Sequence, residues 1–94
     1  MFEWLIKFIL HDIIKDIPLS SIYFLTDCTY CDLKELNNYN VEILYVQKLK
    51  SFHRNIIKNP NNLFILWFTG KRSKQIFDLC NLIENSGSYC IYIL

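Results

Sequence analysis

Six consecutive apolar residues, Leu63-Phe64-Ile65-Leu66-Trp67-Phe68, constrain this chain more than any other feature. A strand with one wet face alternates apolar and polar residues. A short run that is apolar at every position predicts a strand buried on both faces, the condition of a parallel sheet with helices on either side. Turn residues bound the run: Asn59-Pro60-Asn61-Asn62 before it and Thr69-Gly70 after it.

The rest of the chain supplies matching elements. Residues 20–26 (SSIYFLT), 41–46 and 89–94 are rich in β-branched and aromatic side chains and predict three further strands. Between the strands lie three helical segments. Residues 29–37 open on Thr29-Tyr30-Cys31-Asp32, a capping-box spelling with Asp at its fourth place. Residues 47–58 carry Leu49, Phe52, Ile56 and Ile57 at helical spacing. Residues 71–85 offer Ile76, Phe77, Leu79, Cys80 and Ile83 to the core, and Gly87 is placed to end them. A further helix over 1–17 precedes the first strand. Its polar residues recur at 3, 7, 11 and 15, leaving a wide apolar arc, and Pro18 stops it.

Strands alternating with helices predict an α/β fold with right-handed crossovers. The expected sheet is four-stranded and mostly parallel, in the order 2-1-3-4. The first crossover then lies on one face and the later two on the other. The short helix over 29–37 cannot cover its face alone, and the N-terminal helix fills the gap. The chain of 94 residues reads as a single domain over 1–94. With 52% hydrophobic and 20% charged residues it is not a disordered chain. No apolar run approaches the roughly 18 residues of a membrane span, so no membrane partner is expected.

Charge is unevenly spread. Residues 1–42 hold seven acidic and three basic side chains. Residues 43–77 hold seven basic ones, Lys48, Lys50, Arg54, Lys58, Lys71, Arg72 and Lys74, and no acidic one. Lys50, Arg54 and Lys58 recur every four residues and would form one stripe on a helix. Ligands of open parallel sheets bind beyond the carboxyl ends of the strands, where strand order reverses. The segment Thr69-Gly70-Lys71-Arg72-Ser73-Lys74 falls there and offers a hydroxyl, a glycine and cations to an anion. It lacks the upstream glycine of a Walker loop. This basic surface supports one reading: a small non-enzymatic binding protein that captures an acidic protein face, a nucleic acid or a nucleotide. No alanine occurs, and Phe, Tyr, Met, Ile, Asn and Lys dominate, as A/T-rich coding produces. By analogy with mobile elements, an inhibitor or immunity-type protein is the expectation. The last strand is an edge with no Pro or Lys to guard it, which invites a homodimer.

Cys28-Thr29-Tyr30-Cys31 carries the rival reading. In its Cys-x-Tyr-Cys spelling and its place between a strand and a helix, the segment resembles the glutaredoxins over about twenty residues. The resemblance implies a cytosolic thiol–disulfide oxidoreductase, with Cys28 as nucleophile and Cys31 as resolving thiol. Three features depart from that family. Asp27 stands where it has proline, and a carboxylate there raises a thiol pKa. Pro60 lies two residues too early for the family's cis-proline. No antiparallel hairpin is evident in the last thirty residues. The remaining cysteines, Cys80 and Cys90, read as small buried hydrophobes of a protein kept in a reducing cytoplasm. No metal site and no cofactor are expected.

Overall fold

The computed structural model describes residues 3–49, 61–71 and 73–93. Four strands form one sheet: β1 (Ser21–Thr26), β2 (Val41–Tyr45), β3 (Asn62–Trp67) and β4 (Tyr89–Ile93). Their order is β2-β1-β3-β4, and every neighbouring pair is parallel. The expected α/β class and strand order are therefore observed, and among the described residues no strand is antiparallel and the hairpin that the glutaredoxin resemblance implies is absent.

The doubly apolar run becomes β3, a central strand. Leu63, Phe64, Ile65 and Leu66 are all essentially inaccessible. Alternate residues serve opposite layers. Phe64 and Leu66 join Tyr23, Leu25, Leu44 and Val46 on one face, while Leu63 and Ile65 join Phe24 and Val41 on the other. Each such side chain contributes about 1.5–3 kcal/mol through burial. Tyr23 stacks on Phe64 with ring centroids 5.4 Å apart, which ties β1 to β3 on the first face.

Among the described residues, one α-helix lies on each face. On the first face lies α2 (Lys74–Asn85), with Ile76, Cys80 and Ile83 inward. Ser73 caps it, its Oγ accepting from the Ile76 amide at 3.4 Å. The helix starts three residues later than the sequence suggests, because Ser73 is the better cap. Phe77, expected in the core, is 53% exposed: it lies one residue off the inward 76-80-83 stripe. Gly87 ends the helix region as expected, at φ 81°.

On the opposite face lies α1 (Glu3–Phe8), continued by a π-helical turn over Ile9–Ile13. The helix thus stops short of the expected residue 17. The wider turn, closed by the Ile14 amide on the Ile9 carbonyl at 3.0 Å, changes which residue faces in. In a regular α-helix Ile13 would fall in line with Ile6. Here Ile14 is 6% exposed and Ile13 51%. Trp4 and Phe8 also remain exposed, so the sheet uses only part of the apolar arc.

A 3₁₀ helix over Lys34–Tyr39 completes this layer, where an α-helix over 29–37 was expected. Leu33 and Leu36 from this segment are buried beside Ile6 and Ile9. Tyr39 donates to Glu3 Oε1 at 2.8 Å and so ties the 3₁₀ helix to α1. That bond, followed by the charge of Lys7, lowers the Glu3 carboxyl pKa. After β2 a short 3₁₀ turn covers Val46–Lys48. Most of the helix expected over 47–58 lies outside the described residues. Among the described residues no helix is long and apolar enough to cross a membrane.

Candidate functional site

Three loops leave the carboxyl ends of the adjacent strands β2, β1 and β3. The register sets Thr26 level with Tyr45 on one side and Trp67 on the other, so β1, β2 and β3 end together. β1 lies between them, at the point where the strand order reverses: the described crossover from β1 to β2 packs on one face and that from β3 to β4 on the other.

Asp27 is the first residue beyond β1. Its Oδ1 accepts from the Thr69 amide at 2.8 Å and from the Thr69 hydroxyl at 3.0 Å. Its Oδ2 accepts from the Gly70 amide at 3.0 Å. Gly70 permits this approach: a Cβ there would come within 3.3 Å of Oδ2. On the other side, Gln47 Nε2 donates to the Asp27 carbonyl at 2.7 Å. Residue 27 therefore ties the loop after β2 to the loop after β3. Burial alone raises the Asp27 pKa, but the bonds from Thr69 and Gly70 outweigh it and hold the carboxyl below its ordinary value.

This clamp bears directly on the expected anion loop. Its backbone donors at Thr69 and Gly70, and the Thr69 hydroxyl, already face an internal carboxylate. Ser73 is engaged as a helix cap. Lys71 and Lys74 are exposed, as is Lys48, which sits 5.4 Å over the Tyr45 ring. The expected stripe of Lys50, Arg54 and Lys58 lies outside the described residues, and so does Arg72.

The next residue is Cys28. It is fully buried and disulfide-bonded to Cys31, with the two Cα atoms 5.9 Å apart. The Cys28 amide donates to the Thr26 hydroxyl at 3.1 Å, and Thr26 is itself inaccessible. The segment is a series of bends, not the start of a helix. Asp32 does not complete a capping box; its Oδ1 instead accepts from the Lys34 amide at 3.2 Å. The helix N-terminus that would lower a thiol pKa at Cys28 is therefore absent from this segment.

No family model matches the chain, and no curated protein or solved structure matches it.

An open cleft of about 590 Å³ lies beside the disulfide, between the Cys31 loop and the edge strand β2. Tyr30, 85% exposed, and Tyr45 give it aromatic walls; Asp32, Lys34 and Glu42 give it charge. Cys31 lines this cleft and Cys28 does not. The other two cysteines are not disulfide-bonded: Cys80 is buried and Cys90 half-buried. Burial pushes the Cys90 thiol up to about 11, with Glu84 adding to the shift.

Sequence reasoning singled out both cysteines and the Thr69–Lys74 loop. It treated Asp27 only as an unfavourable neighbour of a thiol. The missed signal was positional: an aspartate directly after one strand, and a Thr-Gly pair just after the strand beside it.

Proposed function

We propose that this chain is a thiol–disulfide exchange protein whose Cys28–Cys31 pair cycles between disulfide and dithiol. One observation carries the reading. The pair is bonded at the carboxyl end of the central strand β1, where open parallel sheets bind ligands, and it borders an open cleft. A structural staple would close a long loop to gain stability, whereas this bond closes only a four-residue one. The compartment that fits this role is a reducing cytoplasm, where disulfides are transient and catalytic or redox-sensing.

The test is turnover. With a low-molecular-mass thiol as reductant, the purified chain accelerates reduction of insulin disulfides, and the Cys28→Ser/Cys31→Ser double variant does not. A wild-type rate equal to that of the thiol alone overturns the reading.

A second reading is capture of an anionic target by a basic surface. Three exposed lysines favour it: Lys48 follows β2, while Lys71 and Lys74 follow β3, so they flank the same edge of the sheet. The partner would be an acidic protein face, a nucleic acid or a nucleotide, and the chain an inhibitor or immunity-type protein. The edge strand β4 is where a second copy would pair. A synthetic oligonucleotide and an acidic peptide serve as probes. Binding that weakens with salt and is lost in Lys48→Glu/Lys71→Glu/Lys74→Glu supports this reading; binding that survives the triple change removes these lysines from it.

A further inference from the structure

We infer that Cys31, and not Cys28, is the sulfur that exchanges with substrate, and that substrates reach it through the cleft beside β2. The inference rests on the exchange function proposed above and reverses the order of attack that the glutaredoxin resemblance implies. Two observations carry it. Cys28 is fully buried, its backbone held down by the inaccessible Thr26. Cys31 is partly exposed and lines the cleft, between the exposed Tyr30 and Asp32. Thiol–disulfide exchange needs the attacking sulfur in line with the bond it breaks, so an incoming group must reach the sulfur itself. Only Cys31 offers that access.

The chemistry then runs in a fixed order. In the dithiol form the Cys31 thiolate attacks one sulfur of a substrate disulfide. That disulfide breaks, and the departing thiolate takes a proton. A mixed disulfide joins Cys31 to the other half. Cys28 gives up its proton and attacks Cys31 Sγ, displacing the second substrate thiolate, which is protonated in turn. The Cys28–Cys31 bond is restored, and two electrons and two protons have passed to the substrate. Regeneration runs the other way: a low-molecular-mass thiol attacks Cys31, and the electron pair of the broken bond goes to Cys28. A second thiol then attacks the external sulfur of the mixed disulfide, leaving the dithiol and an oxidised thiol pair.

The order can be read on the wild-type chain. The oxidised protein is treated with limiting 2-mercaptoethanol, quenched in acid, and the adduct is located by peptide mass. Cys31 is expected to carry it. Independently, the reduced Cys28→Ser and Cys31→Ser variants are mixed with 2-hydroxyethyl disulfide, an uncharged probe, and adducts are again assigned by mass. Cys31 in Cys28→Ser is expected to react about 100-fold faster than Cys28 in Cys31→Ser, with the two rates converging in denaturant. An adduct mainly on Cys28, or equal rates in the folded variants, overturns the order of attack while leaving exchange intact. Adducts on neither sulfur, in a chain whose denatured thiols react normally, overturn the exchange function and this inference with it.

Discussion

Replacing Asp27 by asparagine tests whether one carboxylate holds the carboxyl edge of the sheet together. Asp27 accepts three hydrogen bonds, from the Thr69 amide, the Thr69 hydroxyl and the Gly70 amide. Asparagine is nearly isosteric, but it has one acceptor oxygen. If that oxygen keeps Thr69, the amide NH₂ faces the Gly70 N–H and that bond is lost. The two bonds that remain lose their charge assistance. A shielded hydrogen bond to a charged group is worth roughly 1.5–3 kcal/mol, and solvent at this half-buried site reduces each one, so Asp27→Asn should cost about 1–2 kcal/mol at neutral pH. For a chain of this size that lowers the melting midpoint by roughly 5–10 °C. The pH dependence gives the sharper check. The folded carboxyl titrates below the unfolded one, which ionises near about 4. Its stabilisation is therefore fully present above the unfolded pKa and is lost as pH falls through the folded value. Urea unfolding followed by tryptophan fluorescence should show the wild-type advantage undiminished from pH 7 to 5 and shrinking in more acidic buffer. An advantage of the same size at pH 7 and pH 3, or none at pH 7, would refute the clamp.

Three other measurements address separate parts of the structure. Ile14→Ala should destabilise by about 2–4 kcal/mol while Ile13→Ala changes stability by less than about 1 kcal/mol, because the π-turn points Ile14 inward; the opposite ranking in denaturant titration would restore a regular helix. Gly87→Ala should cost about 1 kcal/mol, since φ there is 81° and alanine resists that region; thermal unfolding reads this directly, and an unchanged midpoint would remove the left-handed turn after α2. Cys90, its thiol raised to about 11, should resist iodoacetamide at pH 8 and become reactive only as pH approaches that value. Free-cysteine-like labelling at pH 8 would show that the site is more open.

The fold was legible because its signals were redundant. The doubly apolar run demanded a central parallel strand, and β3 is one. The wide apolar arc of the first helix demanded a sheet face short of cover, and Ile6, Ile9 and Ile14 now cover it. Each inference used burial, which acts over many residues and tolerates local error. Element ends were less legible. The π-turn at Ile9–Ile13 leaves the sequence periodicity apparently helical, yet moves the inward position by one residue. No i, i+4 count detects a change in the number of residues per turn.

The candidate site was the hardest part to read, because at residues 27–32 local and distant interactions disagree. Locally, Thr29-Tyr30-Cys31-Asp32 has the spelling of a helix start. A helix beginning there would bring unpaired amides toward Cys28 and favour a thiolate on it. The chain instead sends the preceding Asp27 across to Thr69 and Gly70, 42 and 43 residues away, while the Cys28 amide turns back to Thr26. With both sides of Cys28 fixed in this way, the next three residues complete the disulfide bend, and helical geometry begins only at Lys34. Charge-assisted bonds between two strand ends outweigh a capping preference worth about 1 kcal/mol. The same competition sets access: Cys28 is left fully buried, whereas Cys31 is partly exposed and lines the cleft beside β2.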